Sequence, residues 1–110
     1  MTLSEKQRKF VLLVSKLIQY AYENSIELTF GEAYRTIEQQ QIYIDKGLSK
    51  TKNSKHLEKL AIDFNLFING EYKSDKPSYQ ILGDYWKTLD IDCTWGGDWG
   101  WDANHFQYTK

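Results

Sequence analysis

The chain has one cysteine, one proline and two histidines among its 110 residues. A single thiol excludes an internal disulfide and any zinc site built from several thiolates. No apolar run approaches the ~18 residues of a membrane-spanning helix. The opening MTLSEKQRKF carries Glu5 and has no apolar segment ending in a small-residue cleavage site. Synthesis in the cytoplasm without a signal peptide is therefore expected, and no membrane anchor. Charge of one sign is also lacking. The formal net charge is -1, which gives no global electrostatic reason to bind nucleic acid or an anionic membrane. There is no repeat, low-complexity tract or linker. The length suits one domain, 1–110, with one modest core.

What is present reads as helices mixed with short strands. Ser4, with Gln7 completing a capping box, starts a helix from Glu5 to Asn24. Phe10, Leu13, Val14, Leu17, Ile18 and Ala21 form its apolar stripe. A short strand, Glu27 to Phe30, runs into a bend at Gly31. Thr36 caps a second helix, IEQQQIYIDK, with Ile37, Ile42 and Ile44 facing inward and Gly47 ending it. An exposed basic loop with Lys50, Lys52 and Lys55 follows. In LAIDFNLF, Leu60, Ile62, Phe64 and Leu66 share one strand face, and Ala61, Asp63 and Asn65 the other. Asn69-Gly70 predicts a hairpin onto EYK. PSYQILGDYWKTLD is a third helix with Pro77 in its first turn. CTWGG and HFQY are two further strands. The fold class is α+β, a small antiparallel sheet with helices packed on it.

His56 and His105 are the only imidazoles. A catalytic zinc needs three protein ligands and one position left for water. Asp63 is the best third ligand, because it points away from the apolar face and small Ala61 beside it leaves room. His105 alternates with Phe106, so its ring faces the site while Phe106 packs inward. One carboxylate ligand leaves a divalent site at about +1, which favours a bound hydroxide near neutral pH. Asp102 precedes His105 by three residues and is the candidate general base. Asp98 is the second candidate. Spacing alone also allows blander readings. A histidine beside a strand is commonly a satisfied polar residue, and Asp102 could be a loop or capping residue.

SKHLEKLAIDFNLF followed by WGGDWGWDANHFQY resembles the zinc D-alanyl-D-alanine carboxypeptidase / L-alanyl-D-glutamate endopeptidase family. That family includes phage endolysins and the carboxypeptidases of vancomycin resistance, and shares its metal core with hedgehog signalling domains. The resemblance runs from Tyr34 to Tyr108. It rests on Ser54, His56 and Asp63, then Asp102 and His105, with EAYRTIEQQ similar to an upstream segment carrying Arg35. It implies a hedgehog/DD-peptidase-like fold, zinc held by His56, Asp63 and His105, and Asp102 activating water. Arg35 is implied to contact substrate near the scissile carbonyl or a carboxylate, with a salt bridge to Glu32 or Glu38 as the alternative. Ser54 is implied to hydrogen-bond substrate or orient the His56 loop. The implied substrate is a peptidoglycan stem peptide, acted on by a monomer. An L-alanyl-D-glutamate endopeptidase of phage-lysin type, released through holin-type membrane pores, is favoured. The alternatives are a D-alanyl-D-alanine carboxypeptidase and a non-catalytic zinc module. One position departs from the pattern: Lys59 stands where many members have glycine. Trp95, Trp99 and Trp101 surround the second motif and are expected to pack around its glycine-rich loop, with lining the site or stacking on a sugar as the alternative.

Overall fold

Helix α1 (Leu3–Glu23) begins two residues earlier than a Ser4 cap would place it. The Thr2 hydroxyl accepts from the Glu5 amide, and the Glu5 carboxylate accepts from the Thr2 amide. An anionic partner at the positive end of the helix outcompetes the neutral Ser4–Gln7 pattern for the same role. Gln7 instead reaches out of the helix and donates to the Glu58 carbonyl, 2.8 Å away. The predicted stripe is buried at Phe10, Leu13, Val14, Leu17 and Ala21. The structure is a computed structural model and describes residues 1–34, 36–47 and 55–109.

Helix α2 (Ile37–Asp45) is capped by Thr36 as expected, yet it buries Gln40 rather than its isoleucines. Ile37 and Ile42 are exposed. Five residues separate them, about 140° around a helix, so no single face can hold both. Helix α3 (Lys76–Leu89) is capped by Asp75, carries Pro77 in its first turn, and buries Tyr79, Leu82 and Trp86. Among the described residues no helix is long and apolar enough to cross a membrane.

Five antiparallel strands form the sheet: β1 (Ile26–Phe30), β2 (Ala61–Ile68), β3 (Glu71–Lys73), β4 (Cys93–Trp95) and β5 (His105–Tyr108), in the order β1-β2-β5-β4 with β3 on β2. The β2–β3 hairpin turns through Asn69 and Gly70, both at positive φ (55° and 78°), the geometry of the tight turn that matches strand twist. Strands β3 and β5 follow one another along the same edge of β2. β5 pairs with Ala61 to Asp63 and β3 with Leu66 to Ile68. Along β2, Ile62, Phe64 and Leu66 turn into the core as the alternation requires.

Trp86 centres that core. Phe10 and Phe106 meet it edge-on at 5.9 and 6.0 Å. Its indole N–H is shared between the Thr94 and Gln107 carbonyls of β4 and β5, so α3 is pinned to the strand pair by a buried polar handle. Trp95 packs next to α3 at Gly83, where an added Cβ would lie 2.2 Å from its ring. Helix propensity alone would favour alanine at a mid-helix glycine by about 1 kcal/mol. Packing reverses the sign here: Gly83→Ala is expected to destabilise the protein by about 1–3 kcal/mol, read as a lower urea midpoint at unchanged slope.

Candidate metal centre

Asp63 is fixed by its own backbone before its side chain does anything. Its amide donates to the Glu32 carbonyl and its carbonyl accepts from the Gly31 amide, each at 2.8 Å. Both main-chain groups therefore face the β1 side. Across the other edge Asp63 sits directly opposite His105, which makes this a non-hydrogen-bonded antiparallel pair, the type that brings side chains closest. The result is a 3.0 Å contact between His105 Nδ1 and Asp63 Oδ1.

His56 arrives from a separate element, a single 3₁₀ turn at Lys55–Glu58. The turn closes by Leu60 N–H donating to the Lys55 carbonyl and is tied to α1 through Gln7 and Glu58. His56 Nε2 lies 3.3 Å from the same Asp63 Oδ1. One nitrogen of each histidine and one Asp63 oxygen fall within 4.8 Å of one another. Both histidines are buried. Lys59, which ends the turn, has φ +59°. This left-handed backbone is one that glycine adopts without the strain a side chain brings. The Lys59 amine lies 5.1 Å from the Tyr34 ring.

Gln107 belongs to the site although its sequence position did not suggest it. Two residues beyond His105 on β5, it shares the strand face, and its Oε1 accepts from His105 Nε2 at 2.7 Å. In the neutral tautomer with its proton on Nε2, His105 donates to Gln107 and its Nδ1 lone pair faces Asp63. In that tautomer two lone-pair donors face each other, an arrangement that a shared cation would satisfy. Period-two alternation from His105 was the available signal.

Electrostatics are strongly coupled. Burial pushes the Asp63 carboxyl up, but the hydrogen bonds and charges of His105 and His56 outweigh it and hold it at about 2. Burial pushes the His105 imidazole down, yet hydrogen bonds to Asp63 and Gln107, with the charges of Asp63 and Asp102, raise it above its ordinary value. A divalent ion could replace the proton that this cluster otherwise retains.

Asp102 comes within reach of the same nitrogen, its Oδ2 3.8 Å from His105 Nδ1. The turn between them closes by His105 N–H donating to the Asp102 carbonyl. Gly96 lies directly against this turn, where a Cβ would sit 2.2 Å from the Asp102 carbonyl oxygen and 2.9 Å from His105 Cβ. Asp98 is held elsewhere, its carboxylate 3.0 Å from the Lys87 amine. Arg35, Ser54, Lys50 and Lys52 lie outside the described residues. Lys55 pairs with Glu58. Of the tryptophans, Trp95 is core, whereas Trp99 is part-exposed and Trp101 stands largely in solvent. The expectation of packing fails for Trp101. The 3₁₀ turn Gly96–Trp99 and Gly100 at φ +91° swing the chain outward before Trp101.

Comparison with known proteins follows the same lines. A family model described as phage L-alanyl-D-glutamate peptidase matches residues 2–108. The L-alanyl-D-glutamate peptidase of Listeria phage A118 is 34% identical over 100 residues, covering 84% of this chain. The chain spans about a third (34%) of that curated relative's length. The crystal structure of Serratia marcescens L-Ala D-Glu endopeptidase ChiX superposes with a TM-score of 0.75 at 24% identity, over 96% of this chain and 85% of that one. The vancomycin-resistance D,D-pentapeptidase VanY, in complex with Zn(II), gives a TM-score of 0.61 at 18% identity, over 93% of this chain and 71% of that one. These neighbours share the α+β fold.

Two outcomes follow from the site's geometry. Removing the Gln107 acceptor (Gln107→Ala) is expected to weaken zinc affinity about 10–100-fold, measured by competition with a chromophoric chelator. In metal-free protein, the raised His105 group stabilises the fold below its unfolded value of 6.5 and loses this as pH rises through its higher folded value. The depressed Asp63 group stabilises above its ordinary 3.8 and loses this as pH falls toward about 2. Urea midpoints in chelator should therefore peak between these limits, and saturating zinc should remove the decline on the alkaline side.

Proposed function

This chain belongs to the phage L-alanyl-D-glutamate peptidase family, and from that membership we propose that it is a zinc-dependent endopeptidase cleaving the L-alanyl-D-glutamate bond of peptidoglycan stem peptides. The observation that carries the reading is the convergence of His56, Asp63 and His105 within 4.8 Å, with Asp102 3.8 Å from His105 Nδ1. Two imidazole nitrogens and one carboxylate oxygen are a donor set that suits zinc with a coordination position left open. The choice of bond is supported by the names of the Listeria phage relative and of ChiX.

When bound, zinc supplies Lewis-acid polarisation of water and of the scissile carbonyl. The protein supplies the rest. His56, Asp63 and His105 hold the ion, and Gln107 keeps His105 in the ligating tautomer. The Asp102 carboxylate takes the proton of the attacking water and delivers it to the leaving amine of D-glutamate. Arg35, through its fork of donors, binds the substrate at the scissile carbonyl or a carboxylate. Ser54 hydrogen-bonds the substrate or orients the loop before His56. The products are an L-alanyl carboxylate and a peptide beginning with D-glutamate. Its place of action is the cell wall, and its working form is a monomer.

Digestion of purified murein, with mass spectrometry of the new termini, tests the reading. New N-terminal D-glutamate is expected, whereas release of free D-alanine would mark a carboxypeptidase instead. Chelation should abolish the digestion and zinc restore it. Asp102→Asn should lower turnover by about 10²–10⁴-fold while zinc remains bound. Lysis unchanged in that variant would point to a binding module or to a different base.

A further inference from the structure

The loop that leads from β4 to β5 leaves two large indoles in water. Trp95, just before it, is fully buried, but Trp99 is 42% and Trp101 74% exposed. They form a chain of ring contacts that begins on a metal-ligand candidate: Trp99 lies 5.3 Å from His105, and Trp101 lies 6.1 Å from Trp99. Beside Trp101 a cleft of about 330 Å³ opens, lined among others by Tyr72, Ser74, Lys76 and Asn104. Tyr79 also lines it, its hydroxyl donating to the Phe64 carbonyl of β2. Asn104, on its wall, directly precedes His105 in the chain, and Trp101, also on its wall, leads back to His105 through Trp99.

We propose that Trp99, Trp101 and this cleft bind a sugar ring, the N-acetylmuramyl unit that carries the stem peptide. The proposal rests on the L-alanyl-D-glutamate reading, and the distances favour it. In a stem cut at that bond, one amino acid and a lactyl ether separate the scissile carbonyl from the sugar. Two such units span about 7 Å when extended, more than the single 5.3 Å contact from His105 to Trp99, so the sugar beyond them falls past Trp99 toward Trp101. A pyranose presents a C–H face to an aromatic ring, which offers apolar area with little conformational freedom to lose. Its hydroxyl and acetamido groups meet donors and acceptors of the kind that Ser74, Asn104 and Tyr72 supply. A D-alanyl-D-alanine bond lies several residues farther from the sugar, beyond the reach of this platform.

The test uses two substrates with the same stem peptide, one attached to its disaccharide and one released from it by an amidase. Wild-type protein loaded with zinc is expected to cleave the disaccharide-linked form about tenfold faster in kcat/KM, the worth of one good aromatic contact. Trp101→Ala should bring the ratio of the two rates to about one, and Trp101→Phe should retain part of the preference. A wild-type ratio of one, or a ratio unchanged in Trp101→Ala, overturns the proposal. If neither substrate yields a D-glutamyl terminus, the bond assignment has failed, and tryptophan fluorescence titrated with N-acetylmuramyl-L-alanine decides the platform separately. Quenching that weakens in Trp101→Ala then upholds the sugar site, and absence of quenching ends it.

Discussion

The contact between Asp63 and His105 organises the site, and it is a property of sheet register before it is one of chemistry. Because Asp63 gives both its main-chain groups to Gly31 and Glu32, its pairing with His105 is of the close, non-hydrogen-bonded kind. A slip of one residue would send Asp63 into the core and Phe64 or Ile62 toward the site. The buried row Ile62, Phe64 and Leu66 forbids that slip, since a buried carboxylate without partners is costly. The hydrophobic core thus fixes the position of a polar centre.

Around this pair the remaining parts are held by elements of different rigidity. His56 depends on one short turn braced by Gln7 of α1 and ended by a left-handed lysine. Asp102 depends on a turn pressed against Gly96. Gln107 needs no support beyond strand β5, which already carries His105. The proposed base therefore rests on loop packing, while the proposed ligands rest on the sheet and on one turn. This division would suit the proposed centre, with its ion held still while the proposed base exchanges protons with water.

Much of this was legible in the residues. Period-two alternation in LAIDFNLF placed Asp63 opposite the core, and Asn69-Gly70 gave the hairpin, because both signals are local and sterically strict. The spacing of the histidines and aspartates named the three converging side chains, since few residue types can bind a metal and this chain has few of them. What escaped was non-local or competitive. The choice of Thr2 over Ser4 as cap depended on which acceptor was stronger. The exposure of Ile37 and Ile42 depended on helix phase across only nine residues. Lys59 marked its position as unusual, but only the backbone showed that the cost lies in φ. The outward turn of Trp101 depended on the path of a glycine-rich loop, which composition does not determine.

The sheet's connectivity also has a temporal side. The β2–β3 hairpin closes over two residues, whereas Asp63 must find His105 across 42 positions of chain, and contacts of long sequence separation form late in folding. Strand β5 brings His105 and Gln107 together in one docking event, and Asp102 enters on the turn just before it. Without that strand, only His56 and Asp63 of the three candidate ligands would be present. The proposed metal centre is therefore complete only when the last strand has docked.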